Sequence, residues 1–294
     1  MVMDHFGQLL TAAITPFDDN GVMETDTFWR LCKKLVADGS DGIVLTGTTA
    51  ESPNLSESDR INIYSTAKDA VGEVANLIAG TGTYSTKETI HFTKLAEEVG
   101  MDGIMIVTPY YNKPSQLGIL KHFEAVKSNT SLPIMAYNIP GRTGTLIELD
   151  TIEKLITDIG IHSIKDAVGD FEFSKEELTR FKDEVYIYSG DDALTKDFMN
   201  HGAVGVVSVA SHLIGRQIKS MLELIKENKS TEADVLHESL LPLISAIFEE
   251  PSPGPVKHLL SESWENVGKP LLPMTEVSEE LAEKLNKIYA KLNN

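Results

Sequence analysis

Eight short apolar runs, each followed by turn residues and an amphipathic stretch, restrict the fold of this chain more than any other feature. Runs such as Ile104–Val107 do not alternate with polar residues, which is typical of parallel strands buried on both faces. Their ends are roughly 20 to 34 positions apart, the length of one strand–helix unit. The predicted strands are Leu10–Thr15, Gly42–Thr46, Ala75–Gly80, Gly103–Val107, Pro133–Tyr137, His162–Lys165, Val185–Ser189 and Val204–Ser208.

Helix start and stop signals fall between these runs. Ser85–Glu88 has the spacing of a capping box, and the helix it opens is expected to stop at Gly100. The same spacing in Ser174–Glu177 predicts a helix start just before Leu178. The helical segment Phe28–Ala37 is likewise followed by a glycine.

Eight strand–helix units predict an α/β fold, the closed (β/α)8 TIM barrel. An open doubly wound sheet is the alternative, although such sheets usually have five or six strands. Near residue 230 the strand signal disappears, and helical stretches follow around Glu232–Phe248, Gly254–Ser261 and Thr275–Leu292. We therefore predict a catalytic barrel over residues 1–229 and C-terminal helices over residues 230–294 that pack on it.

Charge and composition exclude several roles. The 294 residues include 26 basic and 44 acidic side chains, a formal net charge of −18. Nucleic-acid binding needs a basic surface, and an acidic membrane surface would repel this chain, so neither is an expected partner. The single cysteine, Cys32, excludes an intrachain disulfide and a cysteine-rich zinc site. Met1–Leu10 lacks the features of a signal peptide, and no apolar run is long enough to span a membrane, which predicts a cytoplasmic protein.

The active site of such a barrel lies at the carboxyl ends of its strands. None of the eight histidines lies at a predicted strand end, and none belongs to an HxH or HExxH pair, so a metal hydrolase is not favoured. No GxGxxG or Walker pattern indicates a nucleotide site. Asp191 and Asp192 in the seventh loop would repel the phosphate that sugar-phosphate barrels bind there.

Lys165 closes the sixth predicted strand. A lysine that points into a barrel mouth loses hydration, its pKa falls, and the neutral amine can attack a ketone to form a Schiff base. Tyr137 ends the preceding strand, so its hydroxyl would lie close enough to relay protons. An ion pair with Asp166, or an exposed rim position, is the alternative for Lys165, and a packed core tyrosine is the alternative for Tyr137.

The remaining polar strand ends fit anionic substrates. Thr48 and Thr49 follow a glycine and offer hydroxyl and backbone N–H donors to a small carboxylate, although they could also simply cap a turn. Arg142, just beyond Tyr137, could bind a carboxylate through two hydrogen bonds or form a structural salt bridge. Tyr110–Tyr111 could be a stacked interface pair.

At these residues the sequence resembles the dihydrodipicolinate synthase family of the class I pyruvate-dependent aldolases. The likeness extends over nearly the whole chain, including the C-terminal helices, and the motifs occur in the family's order. The lysine motif marks the superfamily, whereas the tyrosine pair together with Arg142 is more specific to the synthases. The matching segments are Gly47–Ser52, Val107–Pro114, Tyr137–Gly144, Ile164–Ala167 and Ser189–Asp192.

The resemblance implies a role for each matching residue. Lys165 would condense with pyruvate to give an imine and then an enamine. Tyr137, Thr48 and Tyr111 would form a proton relay, with Tyr111 reaching into the active site of a neighbouring subunit. Thr48 and Thr49 would hold the pyruvate carboxylate.

The second substrate implied by the resemblance is L-aspartate 4-semialdehyde, whose carboxylate Arg142 would bind, while the main-chain carbonyl of Val207 would lie near the lysine. The product, 4-hydroxy-tetrahydrodipicolinate, leads to diaminopimelate and lysine. Neither a metal nor an organic cofactor is expected. The protein is expected to form a homo-oligomer, either a tight dimer or a tetramer. Ala50 and Gly141 replace residues common in the family, and both are small.

The residues of the family's allosteric lysine site match only in part. Glu88 and Tyr110 match, whereas lysine-inhibited relatives often have histidines at the positions of Glu57 and Arg60 and asparagine at that of Tyr84. Arg60 would place a cation near the ammonium groups of lysine. We therefore predict weak or absent feedback inhibition.

Three alternative functions remain. A 2-keto-3-deoxy-sugar-acid aldolase or an N-acetylneuraminate lyase would share Lys165, Tyr137 and Thr48–Thr49 but would not need Arg142. A non-catalytic barrel that kept the fold is a further alternative. The joint presence of Lys165, Tyr137 and Arg142 argues against it, because a barrel without activity would not need all three residues. A phosphate-binding barrel is more distant.

Overall fold

The computed structural model describes residues 5–292, in which eight parallel strands pair in chain order and form a closed barrel. The barrel closes between the first and last strands, where Leu10 pairs with Val207. The strands are β1 (Leu9–Ala12), β2 (Gly42–Leu45), β3 (Asn76–Gly80), β4 (Gly103–Val107), β5 (Ile134–Asn138), β6 (Ser163–Asp166), β7 (Tyr186–Ser189) and β8 (Gly205–Ser208). The predicted TIM barrel is confirmed, and the open sheet is wrong.

Helices surround the barrel and continue beyond its last strand. Short 3-10 turns lie at Ser52–Asn54 and Asp192–Leu194, and a π-helical turn follows α6 at Leu155–Ile159. The α-helices are α1 (Thr25–Ala37), α2 (Glu57–Val71), α3 (Thr86–Val99), α4 (Gln116–Lys127), α5 (Pro140–Thr143), α6 (Leu149–Lys154), α7 (Phe171–Phe181), α8 (Thr195–Asn200), α9 (Ser211–Lys226), α10 (Ser230–Ala246), α11 (Gly254–Ser263) and α12 (Glu279–Leu292).

The capping signals predict one helix boundary correctly and another wrongly. The Ser85 hydroxyl accepts the backbone N–H of Glu88 at 3.4 Å, and Gly100 ends α3 in the left-handed conformation, with φ +86°. The helix predicted to start at Ser174–Glu177 instead begins at Phe171, because Asp170 accepts the N–H of the second helical residue. Ser174 and Glu177 therefore lie inside α7.

Two apolar layers separate the inside of the barrel from the helical shell. The inner layer includes Leu10, Val44, Ile78, Met135 and Tyr188, whose side chains fill the barrel. The larger outer layer packs the other faces of the strands against the helices. Because successive side chains of a strand point to opposite faces, the register of each strand decides which residues enter the barrel.

The C-terminal helices pack on one another and on the barrel shell. α10 and α11 each contact both α9 and α12. α12 begins four residues later than predicted, because Ser278 caps it by accepting the N–H of Leu281 at 3.3 Å. Within residues 5–292, every helix falls short of the length or apolar character that a membrane span requires.

Candidate active site

Lys165 lies inside the barrel, at the end of β6. Its backbone pairs with Tyr137 of β5 and Tyr188 of β7, and only 5% of the residue is exposed. The amine Nζ lies 4.2 Å from the centroid of the Tyr137 ring, so the tyrosine presents its ring face to the amine. Within residues 5–292 no carboxylate forms an ion pair with this lysine. The predicted contact between strands β5 and β6 is therefore present.

Burial lowers the pKa of Lys165 from 10.5 to about 8. The negative charge of Asp192 opposes this shift, and the positive charge of Arg142 adds to it. At pH 7 a lysine with a pKa of about 8 is neutral in about one molecule in ten, compared with about one in three thousand at 10.5. Burial also raises the pKa of Tyr137 to about 12, so its hydroxyl keeps its proton at neutral pH.

Asp192 holds the end of β8 close to this lysine. Its buried carboxylate accepts the Ser208 hydroxyl and the backbone N–H groups of Val209 and Ala210, the last two at 2.9 and 3.1 Å. Burial raises the pKa of Asp192 while these donors lower it. The sequence predicts only that Asp191 and Asp192 repel phosphate, and it contains no local signal for this contact between the seventh loop and the end of β8.

Asp166 points away from the barrel interior. Its carboxyl group meets that of Glu177 on α7, and both residues are fully buried. Burial and the mutual repulsion of the two groups raise the pKa of Glu177 well above its usual range. The direction of this shift favours a protonated Glu177 beside Asp166. The alternative interpretation of Lys165, an ion pair with Asp166, is therefore wrong.

The predicted site residues converge on one opening of the barrel. A cavity of about 370 Å³ is lined by Lys165, Tyr137, Thr48, Thr49 and Arg142. A second cavity of about 220 Å³ shares Thr48, Tyr137 and Arg142 with it and continues towards Tyr110. The opening therefore combines one buried amine, hydroxyl groups and a guanidinium.

The C-terminal helices also reach this opening, which the sequence did not predict. Ile244 and Ser245 at the end of α10, and Phe248 and Ser252 beyond it, line the larger cavity. These residues are distant in sequence from every strand end, so the rule for locating barrel active sites could not identify them.

Three of the predicted site residues lie outside the two cavities. Tyr111 is 92% exposed and adopts a left-handed backbone conformation with φ +72°. Val207 is buried in the inner apolar layer. Glu88 lies near Tyr110, since its charge helps to raise the pKa of that tyrosine. Tyr110 itself is half-buried and stacks edge-on against Tyr84 with ring centroids 5.6 Å apart.

Among residues 5–292, histidine, cysteine and acidic side chains do not gather in any group of three or more that could hold a metal ion.

Comparison with known sequences assigns the family. The sequence profile of the Dihydrodipicolinate synthetase family matches residues 5–292. The chain belongs to this family. It is 44% identical over 280 residues to a 4-hydroxy-tetrahydrodipicolinate synthase of Desulforudis audaxviator, with 95% of each chain covered. It is 41% identical over 290 residues to that of Bacillus subtilis, with 98% of this chain and all of the relative covered. The family predicted from the motifs is confirmed.

Solved structures give the same result. A dihydrodipicolinate synthase of Bacillus anthracis superposes with a TM-score of 0.95 at 40% identity, covering 98% of this chain and 99% of that one. One from Cyanidioschyzon merolae, crystallised with lysine bound, gives a TM-score of 0.94 at 37% identity, covering 98% of each chain. The alternative of a phosphate-binding barrel receives no support from these comparisons.

The charges around Lys165 predict opposite effects of two substitutions. Asp192→Asn removes a negative charge and should lower the pKa of Lys165, whereas Arg142→Gln removes a positive charge and should raise it. The measurement is the pH dependence of Lys165 labelling by an amine reagent, read by peptide mass. The wild type should show an inflection near pH 8. Arg180→Gln, an exposed substitution on α7, serves as the control and should change nothing; an inflection near 10.5 in the wild type would contradict the effect of burial.

Proposed function

We propose that this chain condenses pyruvate with L-aspartate 4-semialdehyde to give 4-hydroxy-tetrahydrodipicolinate and water, the reaction that leads to diaminopimelate and lysine. The observation that carries the proposal is a buried lysine with a pKa of about 8 in one cavity with two threonines and an arginine. Membership of the family and the names of the relatives support it.

The first step is imine formation on Lys165. Its neutral amine attacks the ketone carbon of pyruvate, and the resulting carbinolamine loses water. Thr48 and Thr49 line the same cavity and are suited to hold the pyruvate carboxylate. The hydroxyl groups of Tyr137 and Thr48 are suited to carry protons to and from the carbinolamine, because Tyr137 remains protonated at neutral pH.

The second step is carbon–carbon bond formation. Loss of a proton from the pyruvyl methyl group gives an enamine, which attacks the aldehyde carbon of the second substrate. The amino group of that substrate then attacks the imine carbon, closes the ring and releases the Lys165 amine. Val207 lies in β8, which is separated from β6 by β7, and its side chain belongs to the inner apolar layer of the barrel. We expect its main-chain carbonyl to lie near the Lys165 amine, as the family resemblance implies.

Arg142 favours this reaction over the related aldolases. Two anionic substrates must enter a protein of net charge −18, so a local cation is needed for their capture. Arg142 is exposed on α5 and lines both cavities beside Lys165. A carboxylate on the acceptor aldehyde matches its guanidinium, whereas the polyhydroxylated acceptors of sugar-acid aldolases would not need it.

Trapping with borohydride tests the proposal directly. Pyruvate and borohydride should add one reduced pyruvyl group to the protein, and peptide mapping should place it on Lys165. The buried Lys257 provides an internal control and should stay unmodified, and Lys165→Arg should abolish the adduct. Turnover with aspartate semialdehyde, and not with sugar aldehydes or N-acetylmannosamine, should then identify the second substrate. A wild-type protein without an adduct would disprove the imine mechanism.

Tyr111 supports a proposal about assembly. Tyr111 is 92% exposed and lines neither cavity of its own chain, which supports a role outside that chain. We expect it to complete the proton relay of a neighbouring copy in a homodimer, with a tetramer as the larger assembly. One structural neighbour, at 30% identity, is described as the first monomeric dihydrodipicolinate synthase variant, so assembly has to be measured for this chain.

Subunit mixing tests whether Tyr111 serves the active site of its own chain or that of a neighbouring subunit. Tyr111→Phe should lower kcat by about 100-fold, as loss of an acid–base group does, and Lys165→Ala should be inactive. After exchange in a 1:1 mixture, about half of the dimers should be mixed, each with one intact site, which restores about a quarter of wild-type activity. If Tyr111 served its own chain, mixed dimers would contain no intact site, and activity would not return. Each variant taken alone through the exchange is the control.

Arg60 supports the prediction of weak inhibition by lysine. Arg60 is 3% exposed, and its guanidinium donates to the carbonyl of Ser52 at 2.9 Å and to that of Gly80 at 3.3 Å, with the Phe92 ring centroid 4.2 Å away. A cation fixed there repels the ammonium groups of lysine. We expect about 1 mM lysine to leave the initial rate nearly unchanged. This means that lysine binds with a Kd well above about 1 mM, that is, with a binding free energy weaker than about −4 kcal/mol. Half-inhibition at submillimolar lysine would disprove this.

A further inference from the structure

A fully buried ion pair joins the substrate-binding loop to the C-terminal helices. Glu51 follows Thr48 and Thr49 in the loop after β2, and Lys257 lies on α11. Glu51 Oε1 and Lys257 Nζ are 2.7 Å apart, and each side chain is 1% exposed. The segment Gly47–Glu51, which contains Thr48 and Thr49 and ends at Glu51, forms a tight turn that we call the carboxylate turn.

The carboxylate turn depends on Glu51 for its shape. Glu51 adopts a left-handed conformation, φ +59°, which is unfavourable for a residue other than glycine. Its N–H donates to the carbonyl of Thr48 at 3.0 Å, and the Ala50 N–H donates to the carbonyl of Gly47 at 3.2 Å. A strained backbone conformation persists only where surrounding contacts fix it, so the side chain of Glu51 must be held firmly.

The contacts that hold Glu51 come from the far end of the chain. Its second carboxylate oxygen accepts the N–H of Leu271 at 2.6 Å. Lys257 Nζ also donates to the carbonyl of Lys269 at 3.1 Å and lies 4.4 Å from the ring centroid of Phe17, in the loop after β1. Each charge therefore faces the opposite charge at 2.7 Å and also has a backbone partner, which offsets part of the cost of burying the ion pair.

We propose that Glu51 and Lys257 are positioning residues, whose ion pair sets the carboxylate turn so that Thr48 and Thr49 can receive a substrate carboxylate. The C-terminal helices are accordingly part of the catalytic apparatus. The identity of the bound carboxylate as pyruvate rests on the proposed function, whereas the coupling of the turn to Lys257 does not.

Removal of the cation provides the main test. Lys257→Met leaves a buried carboxylate without a partner, which must move towards water and take the turn with it. We expect the KM for pyruvate to rise by about 10- to 100-fold, because a small displacement of Thr48 and Thr49 weakens binding of the carboxylate. Because Thr48 also belongs to the proposed proton relay, kcat should fall as well, whereas the KM for the second substrate should change less than about threefold. The double variant Glu51→Gln/Lys257→Met removes both charges and should recover most of the loss.

A matched control comes from another ion pair between the barrel and the C-terminal segment. Arg30 on α1 and Glu265 beyond α11 are 2.7 Å apart, and their side chains are 46% and 35% exposed. Glu265→Gln loosens this attachment without touching the carboxylate turn, so the KM for pyruvate should not change. An equal rise in Glu265→Gln, or a folded Lys257→Met protein with wild-type KM, would overturn the proposal.

Hydrogen exchange measures the stability of the carboxylate turn in the absence of substrate. In Lys257→Met the amides of the peptide containing Gly47–Glu51 should exchange faster, and in Glu265→Gln they should not. If Lys257→Met does not fold, Glu51→Gln, which keeps an acceptor for Leu271, is measured in its place and should show the same acceleration to a smaller degree. A wild-type protein that fails to trap pyruvate, combined with faster exchange in Lys257→Met, would reject the proposed function alone. Unchanged exchange in every folded variant would reject the positioning role.

Discussion

Exclusion of water from Lys165 is the condition on which the remaining features of the site depend. A lysine amine is a nucleophile only when it is neutral, and in this barrel burial is the main cause that lowers its pKa to about 8. Asp192 and Arg142 modify that value in opposite directions. The closed barrel supplies the burial, because a strand at the edge of an open sheet could not enclose its last side chain on all sides.

Successive side chains of β6 point to opposite faces of the strand, so two neighbouring ionisable residues titrate in different surroundings. Lys165 faces the cavity and gains reactivity by losing its charge, while Asp166 faces α7 and helps to raise the pKa of Glu177. Two adjacent ionisable residues therefore remain electrostatically separate. An ion pair between them would keep the amine protonated and remove it from imine chemistry, so the opposite orientation of Asp166 preserves the reactivity of its neighbour.

The sequence predicts the barrel and the cluster at its mouth because both depend on local periodicity and on strand ends. Lys165 and Tyr137 fall on neighbouring strands in chain order, so their contact follows from topology. The start of α7 was mispredicted because Asp170 competes with Ser174 for the cap and lies closer to the end of β6. The lining by α10 and the pairing of Glu51 with Lys257 could not be predicted, since they depend on how distant segments pack and have no local signal.

The long separation of Glu51 from its partners has a consequence for the order of folding. Glu51 and Leu271 are 220 positions apart, and Lys257 lies between them near the same end of the chain. Contacts of such separation require closure of a long loop, and chains fold from the N-terminus as they are synthesised. A nascent chain that has completed all eight strands would still hold an unpaired carboxylate in its second loop. If the ion pair positions the carboxylate turn as proposed, the substrate site is complete only when the last helices have docked on the barrel.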